Sequence, residues 1–178
     1  MNRDANVLGA LSLVVVDRMS SAVAADRSHT AAAALSALDQ FLEGCSVDRL
    51  RRVLGLTPSG TVRLVDRLEA SGQVTRGPGG DARTRSLRLT AAGSRAARRV
   101  GDARGAVLDD ALSALTPDER RTFERLVGKV LEGVVRAKLA EAQDTPWICR
   151  LCDLRACGRD EGACPAANAA RDALASKP

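Results

Sequence analysis

Four cysteines lie close together near the end of the chain, within the stretch WICRLCDLRACGRDEGACPAANAA. They follow the spacing C-x2-C-x4-C-x6-C and are Cys149, Cys152, Cys157 and Cys164, whereas the whole chain holds five cysteines. A protein in a reducing compartment rarely uses such a group for structural disulfides, and thiolates are strong metal ligands. The spacing therefore predicts that the four cysteines bind one metal centre.

Two kinds of metal centre suit four thiolates, and the sequence favours iron-sulfur over zinc by a small margin. Zinc takes four sulfurs tetrahedrally, but most such sites have a glycine after the second sulfur, where Asp153 stands. Iron-sulfur clusters of the 4Fe-4S or 2Fe-2S type also take four thiolates, often from a compact run ending in Cys-Pro, as Cys164 and Pro165 do. Redox-active thiols without metal are the third alternative. Three arginines would offset the charge of the thiolates with either metal: Arg150, Arg155 and Arg159.

A second feature with chemical consequences is a concentration of arginine in the middle of the chain. The chain carries a net charge of +5, but from Ser46 to Val100 there are 12 Lys and Arg against 4 Asp and Glu. The remainder is therefore slightly acidic. Positive charge gathered in one unit is what binding to phosphates requires, so nucleic acid is the expected partner.

The basic stretch also contains the residues that start and end two short helices. Ser46 is placed to cap a helix over Val47 to Leu54, and Gly55 can supply the left-handed residue that ends it. Thr57 is a good cap for a second helix, with proline at its first position, running from Pro58 to about Ser71. Two helices joined by so tight a turn are typical of a reader of duplex DNA.

The second of these helices has the face expected of a recognition helix. Its pattern turns Val62, Val65 and Leu68 inward. Its predicted outer face is small, polar and cationic: Ser59, Gly60, Thr61, Arg63 and Arg67. Small residues permit a close approach to base edges, and arginine can bind guanine or phosphate with two parallel hydrogen bonds.

A basic β-hairpin follows at once. Strand patterns around Val74 and from Arg85 to Thr90 flank a turn rich in glycine and proline, Gly77 to Gly80. A cationic hairpin beside a helix-turn-helix can enter the adjacent minor groove. Its candidate DNA-binding residues are Arg76, Asp81, Arg83 and Arg85.

These motifs resemble the MarR family of winged helix-turn-helix regulators, in LRRVLGLTPSGTVRLVDRLEASGQVTR and in DARTRSLRLTAAG. The resemblance covers about Val7 to Ala142 and includes the Asp-x-Arg wing motif and the closing Leu-Thr-x-x-Gly, which ends at Gly93. It implies an obligate homodimer with interlocking terminal helices, one winged domain per subunit and often an effector pocket between the two regions. Gln73 departs from the family pattern, where an apolar residue is usual, and pocket aromatics are scarce.

Long helices are predicted on both sides of the DNA-reading unit, over Val7 to Val23, Thr30 to Glu43 and Ala91 to Leu115, with a further one after Thr116. This last helix begins with a Thr-x-x-Glu capping box. Its apolar stripe needs a partner and comprises Phe123, Leu126, Val127, Val130, Leu131 and Val134. A twofold dimer would cover the stripe and would match a palindromic operator.

The expected fold is mainly α with a small β-hairpin wing, a winged helix-turn-helix domain joined to a helical dimerisation region. We divide the chain into N-terminal dimerisation helices (1–45), a DNA-binding domain (46–93), C-terminal linker and dimerisation helices (94–144) and a four-cysteine metal-binding tail (145–178).

Other classes of protein find less support. No apolar run reaches about 18 residues and no basic segment precedes the first apolar stretch, so we expect a cytoplasmic protein without a membrane span or secretory signal. His29 is the only histidine, and no phosphate-binding loop or paired-carboxylate motif occurs, so we expect no enzyme. Cys45 stands apart from the cluster, and we expect it to be a small buried residue.

The leading hypothesis is a homodimeric, sequence-specific transcriptional regulator, a repressor, whose four-cysteine site senses redox or metal state. One alternative is a regulator of the same kind with a purely structural zinc ion and a small-molecule effector. The others are an architectural or nonspecific nucleic-acid-binding protein and a redox enzyme built on the cysteine tail.

Overall fold

A computed structural model describes residues 2–23, 28–78, 85–141 and 149–175. Seven helices and three short strands follow one another along these ranges: α1 (Arg3–Val23), α2 (His29–Gln40), β1 (Cys45–Ser46), α3 (Val47–Leu54), α4 (Pro58–Ala70), β2 (Val74–Pro78), β3 (Arg85–Leu89), α5 (Ala91–Leu112), α6 (Pro117–Glu141) and α7 (Pro165–Ala175). The predicted mainly α fold with a small wing is confirmed.

The two helices of the DNA-reading unit begin and end where the sequence predicts. The Ser46 hydroxyl accepts a hydrogen bond from the backbone N–H of Arg49 at 3.1 Å, and Gly55 ends α3 with a φ of 66°. At the start of α4 the Thr57 hydroxyl accepts from the N–H of Gly60 at 3.1 Å. These caps satisfy amides that the helices cannot pair internally, and they fix the tight turn between α3 and α4.

The wing belongs to a three-stranded antiparallel sheet with strand order β1-β3-β2. In the hairpin Val74 lies opposite Leu89 and Pro78 lies opposite Arg85. The sequence predicts this hairpin but not β1, which pairs Cys45 with Leu87 and is only two residues long. The predicted wing-tip residues 81 and 83 lie outside the described part of the chain.

The main core joins α2 to the DNA-reading unit and the sheet. Leu35 and Leu38 of α2 are buried, and so is Leu42 just beyond the helix. They pack in one cluster with buried residues of α3, α4, the hairpin and α5. The DNA-reading helices therefore rest on α2 as a firm support.

The orientation of α4 differs from the prediction at two positions. Thr61 is fully buried and Val62 is 46% exposed, the reverse of the expected arrangement. The buried side of α4 follows the spacing i, i+3, i+4, i+7, which starts at Thr61 and continues through Leu64, Val65 and Leu68. Burial of the Thr61 hydroxyl is tolerated because it donates a hydrogen bond to the carbonyl of Thr57 at 2.9 Å.

The junction between the wing and α5 explains the closing Leu-Thr-x-x-Gly motif. The Thr90 hydroxyl accepts from the N–H of Gly93 at 3.0 Å and donates to the carbonyl of Gly72 at 2.7 Å. A Cβ at Gly93 would lie 2.0 Å from the carbonyl oxygen of Gln73. Only glycine lets α5 approach the backbone where the wing begins.

The outermost helices carry wide exposed apolar faces. Within the described residues α1 has no buried side chain and α6 has one, Val135. The predicted capping box at the start of α6 is confirmed, because the Thr116 backbone N–H donates to the Glu119 carboxylate at 2.9 Å. The predicted stripe on α6 is exposed along its whole length: Phe123, Leu126, Val127, Val130, Leu131 and Val134.

One helix bears on the expectation about membranes without overturning it. By length and composition alone α1 could cross a bilayer, since its apolar window has a mean hydropathy of 1.3. The sequence analysis predicts this helix over Val7 to Val23 but counts no apolar run of about 18 residues, because Asp17 and Arg18 interrupt it. In the structure the Arg18 guanidinium pairs with the Asp110 carboxylate of α5 at 2.7 Å, and this ion pair ties α1 to the rest of the fold.

Candidate nucleic-acid interface and cysteine cluster

The exposed side of α4 presents a small cationic surface. Ser59, Arg63 and Arg67 are exposed, and Gly60 is half-buried beside the Thr57 cap. Arg63 and Arg67 are one helical turn apart, so both guanidinium groups can extend from the same side of the helix. Of the five residues predicted for this surface, only Thr61 is turned away from it.

Val62 is the residue of α4 that the sequence analysis missed as a candidate contact. Its side chain is 46% exposed and adjoins Arg63. An exposed aliphatic group on a recognition helix can contact the C5-methyl group of thymine, while arginine reads guanine. The signal that could have identified it was the i, i+3, i+4, i+7 spacing from Thr61, which leaves Val62 outside.

The Arg76 side chain joins the wing to α4 through ion pairs, so its charge is not free to bind DNA. Its guanidinium donates to the Asp66 carboxylate at 2.6 Å and also pairs with Glu69, both on α4. The hydrogen bond to Asp66 and the nearby charge of Glu69 raise the pKa of Arg76. The pair of contacts holds the first strand of the wing against the recognition helix.

Further arginines surround these elements. Arg85 is exposed at the start of β3, and Arg88 pairs with Glu43 at 3.2 Å. Three arginines near the start of α5 are also exposed, namely Arg95, Arg98 and Arg99. The sequence predicts that these arginines lie close enough to the DNA-reading unit to contact phosphates, and in the structure they follow the wing directly.

The four tail cysteines lie near one another. Burial, with the charge of Cys164 and a hydrogen bond to it, raises the pKa of Cys157, and the charge of Cys164 also acts to raise that of Cys149. Within the described ranges, no three His, Cys, Asp or Glu side chains are gathered as ligands of a single metal ion.

The surroundings of the cysteine cluster favour negative charge on one sulfur, that of Cys152. The hydrogen bond from Cys149 and the nearby cation Arg104 together lower the pKa of Cys152 to about 6, against the effect of burial. The same hydrogen bond, together with burial, raises the pKa of Cys149, while the guanidinium of Arg159 lies 4.0 Å from the Cys149 sulfur. Cys149 and Cys164 are buried.

Cys45 lies apart from the cluster, as expected. It is half-buried against the main core, and burial raises the pKa of its thiol to about 11. A thiol with so high a pKa remains protonated and unreactive at neutral pH.

The cysteine loop touches two different parts of the fold. On one side the backbone N–H of Leu154 donates to the Gln40 side-chain oxygen at 3.0 Å, at the end of α2, and Leu151 packs against the main core. On the other side α7 follows the loop directly and packs on α6 around Val135. A cavity of about 470 Å³ lies between the loop and the end of α2, lined by Asp39, Gln40, Leu154, Arg155, Asp160 and Glu161.

A comparison with protein families matches residues 25–84 to a family model described as MarR family. A comparison with curated proteins finds no match.

Solved structures of similar fold cover about three quarters of this chain. One is MepR, a transcription regulator of the multidrug efflux pump MepA in Staphylococcus aureus, at 15% identity and a TM-score of 0.66, covering 75% of this chain and 99% of that one. Apo MarR from E. coli is 25% identical with a TM-score of 0.56, and 70% of this chain and 96% of that one are covered. A Mycobacterium tuberculosis MarR family protein, Rv2887, solved in complex with salicylic acid, is also 25% identical, with a TM-score of 0.56 and coverage of 73% and 97%.

Proposed function

We propose the function of this chain from its membership of the MarR family of transcription regulators. It is a cytoplasmic homodimer that represses transcription by binding a palindromic operator. The family and the structural neighbours are transcription regulators rather than enzymes. The observation that carries the proposal is the combination of a cationic recognition helix with two long helices whose apolar faces are exposed.

The dimer is supported by the exposed faces of α1 and α6. Both helices carry contiguous large apolar side chains, and exposed apolar surface of this extent marks an interface. On α1 the exposed set comprises Val7, Leu8, Leu11, Leu13, Val14 and Val16. A second copy of the chain offers the same faces, so a twofold interface would bury all of them together.

Each subunit would bring α4 to the major groove and the hairpin to the neighbouring minor groove. Arg63 and Arg67 reach base edges or phosphates, and Val62 is available for a thymine methyl group. At the wing, Arg85 and the predicted residues Asp81 and Arg83 would face the backbone and the minor groove. The two subunits then read half-sites about one helical turn apart.

The cysteine tail adds a sensing element in this proposal. Its four thiols have the chemistry to hold an iron-sulfur cluster or a zinc ion, and the adjacent Arg104 and Arg159 favour thiolates. The residues that would hold the centre are Cys149, Cys152, Cys157 and Cys164. Loading or loss of the centre would change how the tail packs on the helices that set the dimer geometry.

A small-molecule effector is the second candidate for regulation. The Rv2887 complex contains salicylic acid, and that protein shares the fold of this chain. In this variant of the proposal the cysteine site is a structural zinc site, and an effector bound between the dimerisation helices and the winged domain would lower operator affinity.

Selection of genomic fragments bound by the purified full-length protein, followed by footprinting, tests the main proposal. A regulator should protect a palindromic site and prefer it over random DNA by about 10³-fold or more. An architectural or nonspecific binder would instead show equal affinity and the same salt dependence on every sequence, which would refute the proposal. Sedimentation of the same sample should give a dimer, and a well-folded monomer would contradict it.

A further inference from the structure

The cysteine loop, residues 149–164, is attached to the part of the fold that supports the DNA-reading helices. The backbone N–H of Leu154 donates to the Gln40 side-chain oxygen at 3.0 Å, at the end of α2. Leu151 of the same loop packs against the main core, which also contains buried residues of α3 and α4. A movement of the loop relative to the winged domain would break both contacts.

The helix that follows the loop is attached to α6. Among the described residues Val135 is the one buried side chain of α6, and it packs in a cluster with Ala166 and Ala169 of α7. The two helices also meet closely at the start of α7, where a Cβ at Gly128 would lie 3.3 Å from the ring of Pro165. The burial of α6 in a single chain therefore depends on α7.

Helix α7 packs on the side of α6 that faces away from the apolar stripe. Val135 comes five residues after Val130 of the stripe, and because an α-helix has 3.6 residues per turn, the two positions are about 140° apart around the axis. Arg136, which donates to the Asp172 carboxylate of α7 at 3.1 Å, also lies on this far side. A second copy of the chain can thus cover the stripe while α7 stays in place.

Hydrogen bonds within the tail connect its two attachments. The Ala163 N–H donates to the Gly158 carbonyl at 2.7 Å and closes the last part of the cysteine loop. The side-chain amide of Asn168, in α7, donates to the Gly162 carbonyl at 2.7 Å and ties the loop to that helix. The loop and α7 therefore form one continuous connection between the end of α2 and α6.

We infer that the tail is a brace that fixes the angle between α6 and the winged domain. Helix α6 follows α5 through a short turn, residues 113–116, and a helix joined to the fold by one turn alone can change its direction. The tail supplies a second connection and removes that freedom. In the proposed dimer this angle sets the separation of the two recognition helices. That effect on DNA rests on the proposed function, whereas the brace itself does not.

Hydrogen exchange of the full-length protein tests the brace without DNA. Leu151→Asp should release the loop by placing a carboxylate against the core, and Ala169→Glu should release α7 because Ala169 is fully buried. Each variant should exchange several-fold faster than the wild type at residues 113–116. The controls, Ala156→Asp and Ala175→Glu, add the same charges at exposed positions of the same loop and helix and should leave the exchange unchanged.

Two further measurements accompany the exchange experiment. Far-ultraviolet circular dichroism establishes that each variant is folded, and sedimentation establishes that it has the same oligomeric state as the wild type. If exchange at the turn is unchanged in both folded variants, the tail is not a brace.

The double variant distinguishes a brace from two independent contacts. A connection that is broken at one end no longer holds, so Leu151→Asp and Ala169→Glu together should speed exchange at the turn no more than either one alone. Additive effects of the two substitutions would overturn the inference.

Operators whose half-sites differ in spacing test the consequence for DNA. The wild type should prefer one spacing, and each released variant should bind that operator about tenfold less tightly and discriminate less among spacings. If variants with a loosened turn keep the wild-type spacing preference, the brace does not act on DNA binding. A wild-type protein that binds no specific site would refute the proposed function instead, and the exchange results would still decide on the brace.

Discussion

Single residues decide how tightly the parts of the DNA-reading unit can approach one another. Gly93 is the clearest case, because its lack of a side chain lets the first turn of α5 rest on the carbonyl of Gln73. The sequence shows this glycine only as the end of a family motif. Its physical reason is a contact between backbone segments twenty residues apart, which no local pattern reveals.

Replacing Gly93 with alanine should therefore destabilise the protein. The new Cβ cannot fit, and the backbone must shift at a cost of about 1–3 kcal/mol in the free energy of unfolding. Gly101→Ala is the matched control, because it lies in the same helix with open space around it and should stabilise the protein by up to about 1 kcal/mol. Urea denaturation of both variants measures the difference, and equal stabilities would contradict the observed contact.

Arg63 provides the corresponding test of DNA recognition at a single position. If its guanidinium binds a base edge, Arg63→Ala should weaken operator binding by about 1–3 kcal/mol and relax the preference at one base pair. Binding to a panel of operators with single substitutions measures both effects. A uniform loss on all sequences would instead assign Arg63 to a phosphate, and Arg120→Ala on the distant helix α6 should have no effect.

At the level of elements, the sequence predicts the helices of the DNA-reading unit almost residue by residue because capping residues mark their ends. It fails at the face of α4, where Thr61 and Val62 exchange their expected places. Hydrophobicity alone puts valine inside, but the geometry of the helix puts position 61 inside, and the Thr57 carbonyl accepts the hydroxyl hydrogen bond. The ion pairs of Arg76 were also missed, since charge in a sequence does not show which charges meet.

The clamp formed by Arg76 should contribute to the stability of the wing. Because its guanidinium is only partly exposed and contacts two carboxylates, Arg76→Ala should lower the free energy of unfolding by about 1 kcal/mol, and by less at high salt. Arg67→Ala, an exposed arginine of α4, is the control and should change stability by no more than about 0.5 kcal/mol. Thermal denaturation at low and high salt compares the two, and an unchanged Arg76 variant would show that the clamp is energetically neutral.

At the scale of the whole molecule, a single chain leaves the apolar faces of α1 and α6 exposed. The sequence predicts the apolar stripe of α6 from its periodicity, and the structure leaves that stripe exposed together with that of α1. How two such chains align cannot follow from periodicity, because the register of a helix interface depends on the shapes of both partners.

Charge placed in the α6 stripe should dissociate the proposed dimer. Val130→Glu would bury an unpaired carboxylate in the interface, so we expect a monomer by sedimentation and a loss of operator binding. The control is Arg125→Glu on the opposite side of α6, a larger change in charge that should leave the dimer intact. If both variants remain dimeric, the interface does not include this stripe.

Ser46 occupies a position with a mechanical consequence. It is at once a residue of β1, paired with Ser86 of β3, and the cap that starts α3. A displacement of the hairpin caused by contact with the DNA backbone would therefore also displace the start of α3, because Ser46 belongs to both elements. Seating of the wing and seating of the recognition helix should then occur as one concerted event, so that a site matching only one of them is released quickly.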